Sequence, residues 1–190
     1  NVNLSGKNAH GAKPHLGIDA LVAASQFVLG LQSIVARQVD PYESAVLTIG
    51  KLEGGNARNI ICDHVHLEGT MRTFRPDVFD RVKKSVLAHL KGIETAYGVA
   101  GEYYETVSFP AVVNDTALVE KARGLLESSD VEGFTPVMAS EDFSYYQQSI
   151  PGLYFFLGIG ENKELHSETF DFDEEILLEG IELYRRLAGI

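Results

Sequence analysis

The chain of 190 residues carries 27 acidic residues against 16 Lys and Arg, a formal net charge of −11, and 45% of it is hydrophobic. That balance describes a globular protein with a buried core and one or two domains, and it argues against nucleic-acid or anionic-membrane partners, which are gripped through basic patches. The single cysteine, Cys62, excludes an internal disulfide, so nothing points to an oxidising compartment and the expected location is cytoplasmic.

Val2 to Lys7 alternates as a short strand does, and a glycine-punctuated loop follows: Gly6-Lys7-Asn8-Ala9-His10-Gly11-Ala12-Lys13-Pro14-His15. Gly6 and Gly11 open backbone angles closed to other residues, and Pro14 disfavours a helix before it, so the segment reads as a shaped turn that presents His10. Taken by itself the same pattern also fits an ordinary strand-to-helix connection with solvated histidines. Asp19 favours the start of a helix running to about Arg37. The uncharged run from Ala20 to Ala36 is long, but Ser25-Gln26 and Gln32-Ser33 recur on one stripe, the mark of an amphipathic core helix rather than a membrane span. The chain opens at Asn1 with a strand pattern already running and no signal-peptide pattern, which suggests a piece of a longer protein.

Tyr42 to Leu52 and Ile60 to Phe74 are rich in β-branched and aromatic residues and read as a hairpin with a long polar loop, Glu53-Gly54-Gly55-Asn56-Ala57-Arg58-Asn59. On the second strand Val65, Leu67 and Met71 point one way, and His64, His66, Glu68, Thr70 and Arg72 the other. Pro76 opens a helix with Val82, Val86, Leu90, Ile93 and Tyr97 on one stripe, stopped at Gly98, and Tyr103 to Phe109 reads as a last strand. Residues 1–109 therefore predict a ferredoxin-like β-α-β-β-α-β domain, two helices on one face of a four-stranded antiparallel sheet, with an edge or helix available to a second copy.

Residues 110–190 predict a different α/β layer. Asn114-Asp115 caps a helix to about Glu127, Phe134 to Val137 is a candidate short strand, and Ser140-Glu141-Asp142 has the composition of a helix start. Leu153-Tyr154-Phe155-Phe156-Leu157 reads as a strand buried on both faces, and a final helix after Asp173-Glu174-Glu175 turns Ile176, Leu177, Leu183, Tyr184 and Leu187 inward. Two strands do not make such a sheet, so the segment reads as the C-terminal part of an α/β domain whose other strands lie outside this sequence.

Several side chains are candidates for chemistry. His166 follows the buried-strand pattern, where open α/β sheets place ligands, but no HExxH, CxxC or tight His/Asp cluster completes a metal set. His64 and His66 are spaced to chelate zinc, yet with Asp63 and Glu68 beside them they read as a solvated acidic face. Cys62 heads that face as a small, partly buried side chain. Arg72 offers a planar two-pronged grip for a carboxylate, or else a surface ion pair with Glu68. Glu141-Asp142 as a paired-carboxylate site has no support beyond the helix start it occupies.

The chain resembles the metal-dependent aminoacylase/carboxypeptidase family of peptidases and amidohydrolases, in the branch of hippurate hydrolases and N-acyl-amino-acid amidohydrolases. The loop from Gly6 to His15, Leu31-Gln32 with Arg37, the run from Gly54 to Ile61, Gly69-Thr70-Met71-Arg72-Thr73, Ser140-Glu141-Asp142-Phe143, Leu165-His166-Ser167 and the run from Phe170 to Glu175 carry the likeness in order. It implies a lid and dimerisation domain over residues 1–109 and the C-terminal segment of an α/β catalytic domain over 110–190. By the same likeness His10 stabilises the oxyanion in a neighbouring subunit's site, Asn59 and Arg72 contact the substrate, and His166 is a metal ligand. The complete site would hold two divalent ions (zinc, manganese, cobalt or nickel) and hydrolyse an N-acyl amino acid or small peptide within a homodimer. The remaining ligands and the general-base glutamate belong to an N-terminal half absent from this sequence, so this chain alone is expected to be inactive; Cys62 stands where the family usually has proline. The competing expectation is a non-catalytic ferredoxin-like module for dimerisation or small-ligand binding.

Overall fold

A computed structural model describes residues 1–126, 131, 133, 135–160, 165 and 167–189. They form two compact units, Asn1–Ala111 with Met138–Ser140, and Val112–Val137 with Glu141–Ile190.

In the first unit the order is β1 (Val2–Ser5), α1 (Ala20–Gln38), β2 (Ala45–Gly54), β3 (His64–Thr73), α2 (Pro76–Tyr97) and β4 (Ala100–Tyr103). The four strands make one antiparallel sheet in the order β2-β3-β1-β4, with Val2 opposite both Leu67 and Tyr103. This is the ferredoxin-like arrangement expected from the sequence. Val2, Leu4, Val65 and Leu67 form a single buried cluster with Phe27, Leu31 and Ile34 of α1 and Val78, Val82, Val86, Leu90 and Ile93 of α2. Both helices thus cover one face, and each large aliphatic or aromatic side chain so buried is worth roughly 1.5–3 kcal/mol. The apolar run of α1 is spent here, since Ala23, Ala24, Phe27, Leu31 and Ile34 are all buried against the sheet and α2.

The helix ends follow the residues at them. The Asp19 carboxylate accepts from the Leu21 and Val22 amides at 3.0 and 3.2 Å, satisfying two free donors of α1. Pro76 sits in the first turn of α2, and Gly98 closes it in the left-handed region, its amide donating to the Glu94 carbonyl at 2.9 Å. Tyr97, expected on the inward stripe, is 36% exposed because the buried stripe begins a turn earlier, at Val78, and ends at Ile93.

Three strand limits differ from expectation. β4 lies at Ala100–Tyr103 rather than 103–109, since its neighbour is β1: Ser5 pairs with Ala100, and the pairing ends with Tyr104 opposite Asn1. β2 starts at Ala45, leaving Tyr42 almost fully exposed, and β3 starts at His64 because residues 60–63 bond to the loop after β1 instead of to β2. Cys62 lies in the core, 7% exposed, with its thiol donating to the His64 carbonyl at 3.1 Å, and does not belong to the polar face.

The second unit contains α3 (Thr116–Leu125), capped by Asp115 through a 2.9 Å bond from the Leu118 amide, the short α4 (Phe143–Gln147) and α5 (Ile176–Ala188). Leu153 to Leu157 is not a strand. Nothing pairs with it as a strand would among the described residues; instead the Asn114 side chain both donates to the Tyr154 carbonyl and accepts from the Tyr154 amide, each at 2.7 Å, as a neighbouring strand's peptide would. Nor is it covered on both faces, since Phe156 and Leu157 are exposed. No residue of α5 is buried, and Leu177 and Tyr184 of the expected inward stripe are more than half exposed. Residues 135–137 are in no strand; Phe134, the start of that expected strand, lies outside the described residues.

Candidate functional site

Gly6 to Gly11 is bonded backbone to backbone to the segment entering β3, and Ile18 closes the loop by exchanging bonds with Lys7. The Gly6 amide donates to the Asp63 carbonyl (2.8 Å), the Ile61 amide to the Ala9 carbonyl (2.8 Å) and the Gly11 amide to the Asn59 carbonyl (2.7 Å), while the Asn8 carboxamide donates to the Asp63 carboxylate (2.9 Å). Neither Gly6 nor Gly11 has positive φ. What they permit is close approach: a Cβ on Gly6 would stand 2.2 Å from the Ile18 carbonyl oxygen, and one on Gly11 3.1 Å from that of Asn59.

His10 sits at the tip of this seam, bridged to Ile60. Its carbonyl accepts from the Lys13 amide at 2.7 Å, and its ring Nδ1 accepts from the Ala12 amide at 3.1 Å. An accepting Nδ1 carries no proton, so the ring proton is on Nε2. The loop therefore sets both the direction and the tautomer of an exposed N–H donor. Asn59 is also exposed, and its carboxamide makes no hydrogen bond to the described residues. The structure thus brings His10 and Asn59 together at the start of β3.

Arg72 lies at the other end of that strand, paired with Val46, eight residues beyond His64. At about 3.3 Å per residue the two ends are on the order of 25 Å apart. Its Nη1 donates to the Met138 carbonyl at 2.7 Å and to Ser140 Oγ at 3.2 Å, within the same compact unit, and it makes no ion pair with Glu68. Ser140 was legible in the sequence only as part of a helix start; nothing in a separation of 68 residues announces its bond to Arg72.

The open face of the sheet is a polar network. His66 Nδ1 contacts Asn3 Oδ1 at 2.7 Å, its Nε2 contacts Glu68 at 3.3 Å, and Lys51 reaches Glu68 at 3.0 Å, holding that carboxyl below its ordinary range. His64 is exposed, as a solvated face requires. In the second unit, hydrogen bonding with Asp142 is the main cause that lowers the Glu141 carboxyl, with the Phe143 amide and the Tyr154 hydroxyl adding to it, and the same bond to Glu141 is the main cause that raises the Asp142 carboxyl. His166 lies outside the described residues. Among the described residues no three His, Cys, Asp or Glu side chains converge as a cation would need.

The sequence profile of the peptidase dimerisation domain matches residues 1–97. This chain belongs to the M20 peptidase family. The M20 chain is 41% identical, over 93% of its length, to an N-acetyldiaminopimelate deacetylase of Bacillus licheniformis, covering 48% of that protein. It is 36% identical, over 93% of its length, to an N-acetyl-L-cysteine deacetylase of Bacillus subtilis, covering 43%. Among solved structures, a protein of methicillin-resistant Staphylococcus aureus described as an aminohydrolase superposes with a TM-score of 0.87 at 32% identity, covering 98% of this chain and 50% of the other. The Bacillus subtilis protein YXEP, described as a dinuclear metal-binding M20 peptidase, superposes at 0.76 with 27% identity, covering 99% and 49%. The chain thus spans about half the length of the relatives it matches.

Proposed function

We propose that this M20 chain is the lid and C-terminal segment of a metal-dependent amidohydrolase that removes the acyl group from an N-acyl amino acid in the cytoplasm. Residues 1–109 form the lid through which two copies pair, and 110–190 complete the catalytic domain. The N-acetyl amino acid substrates named for the Bacillus relatives support the substrate class, and the two metals named for YXEP support a divalent centre. His166 is the ligand this chain offers to that centre. The described residues assemble no cation cage, and what they offer to the reaction is His10, Asn59 and Arg72.

As a water oxygen adds to the amide carbon, charge develops on the carbonyl oxygen. The Nε2–H of His10, its tautomer set by the Ala12 amide, donates to that oxygen, and the Asn59 carboxamide beside it is a second donor. The Arg72 guanidinium takes the substrate's free carboxylate. The separation along β3 supports the reading: Arg72 lies on the order of 25 Å of strand from His64, and His10 is bridged to Ile60 beyond that end, so one small substrate touching both groups takes His10 from one copy and Arg72 from another.

The test is turnover of an N-acetyl amino acid by the full-length enzyme. His10→Ala should lower kcat about 10²- to 10³-fold with a smaller effect on KM, as loss of an oxyanion donor does. His166→Ala should lower bound metal by elemental analysis. Unchanged turnover in both variants removes these assignments, and a full-length protein with neither bound metal nor hydrolysis is the non-catalytic module instead.

A further inference from the structure

The guanidinium of Arg72 has five N–H donors in one plane, and two of them are engaged. Both bonds leave from Nη1, to the Met138 carbonyl at 2.7 Å and to Ser140 Oγ at 3.2 Å. Nε and Nη2 have no partner among the described residues. These two atoms form the long edge of the fork, where two parallel N–H bonds match the two oxygens of a carboxylate. With Nη1 held from behind, that edge is the face left for bidentate recognition.

We propose that Ser140, together with the Met138 carbonyl, is a positioning residue that fixes the Arg72 guanidinium so that its Nε and Nη2 edge receives the substrate carboxylate. This rests on the reading of Arg72 as the carboxylate grip and adds to it the group that orients it. An arginine on a strand samples many rotamers when free, and holding it beforehand removes an ordering cost from binding. Arg72 is half-buried and Ser140 exposed, so the hydroxyl bond is of ordinary rather than exceptional strength. Its loss should cost about three- to tenfold in affinity, the range of one net hydrogen bond. Because the interaction is with the carboxylate and not with the reacting amide, the loss belongs in KM.

The experiment compares two substrates in the full-length enzyme, an N-acetyl amino acid and the same compound with its carboxylate converted to a carboxamide. Ser140→Ala should raise KM for the acid about three- to tenfold with kcat within about twofold, leave KM for the carboxamide unchanged, and be restored by Ser140→Thr. Arg72→Ala should erase the preference for the acid. If Arg72→Ala erases it while Ser140→Ala leaves the acid's KM untouched, Ser140 is no positioning residue and the grip itself stands. If Arg72→Ala leaves the preference intact, the grip reading fails and this one falls with it. A fall in kcat, or an equal rise in KM for both substrates, also overturns the proposal. Should Ser140→Ala not fold, Ser140→Cys removes the strong acceptor at nearly constant volume and is read by the same criteria.

Discussion

His89 shows how one missing methyl sets the spacing of two helices. Its ring stacks on Phe27 at 5.3 Å between centroids, and its Nε2 lies 3.1 Å from the Phe27 carbonyl. The ring occupies the space beside Gly30, where a Cβ would stand 2.2 Å from it. Gly30→Ala therefore sets two effects against each other. Helix propensity favours alanine by up to about 1 kcal/mol, while overpacking at a helix contact costs typically 1–3 kcal/mol and the bond to Phe27 is lost as well. The second effect should win, giving net destabilisation of about 1–2 kcal/mol in urea unfolding. His89→Ala should be destabilising alone but should make Gly30→Ala nearly harmless or favourable. Additive penalties in the double variant would show that ring and glycine are not in contact. The sequence did not announce this pairing, since Gly30 lies in a helix pattern and His89 59 residues later in another. Glycines and prolines in the loops were legible as punctuation, yet Gly6 serves there by near contact with the Ile18 carbonyl rather than by an unusual φ.

Elements were legible where amphipathic periodicity, a cap and a partner coincide. α1 has Asp19 and its stripe, α2 has Pro76 and Gly98, and β3 alternates cleanly, so each is found near where its residues predict. β4 was misplaced because local composition favours 103–109, while the pairing is decided by β1, a partner almost 100 residues away. Just beyond β4, Glu105 ties this edge to α2. Lys83 Nζ lies 2.6 Å from its carboxylate and the Tyr103 hydroxyl donates at 2.8 Å, and these two bonds, that of Lys83 first, hold the carboxyl below its ordinary value of 4.5. Burial is the main reason the Tyr103 hydroxyl is raised. A lowered folded-state value means that the stabilisation is fully present above about pH 4.5 and is lost as pH falls through the lower folded value. Both side chains are about one-third exposed, so the pair is worth at most about 1 kcal/mol. Replacing Glu105 with Gln should lower the urea midpoint at pH 6, with the gap to the wild type closing towards pH 3; a gap independent of pH would assign the loss to packing.

At the scale of the molecule the two units differ in what they bury. The continuous core, from Val2 to Val99, lies wholly in the first unit, while in the second Ala122 is the buried apolar side chain among the described residues. The second unit instead leaves Leu177, Leu178, Ile181, Tyr184, Tyr146 and Ile150 about half exposed or more. A groove of about 280 Å³ lined by Leu118, Leu153, Phe155, Tyr184 and Leu187 is likewise open. This is why residues 153–157 read in sequence as a covered strand and are found without a ladder: the composition is that of a buried element, and burial requires neighbours that the described residues do not supply. Ordering a residue costs on the order of 1–2 kcal/mol of backbone entropy, which only burial of apolar surface offsets at this scale. A fragment of residues 1–111 should therefore unfold in one cooperative transition with a near-ultraviolet dichroism signal, the sheet and both helices melting together. A fragment of residues 112–190 should show helix without a cooperative transition and should bind a hydrophobic dye. A sharp, dye-silent transition in that second fragment would mean that its exposed side chains pack against one another in solution, and the assignment of residues 110–190 to part of a larger layered domain would have to be given up.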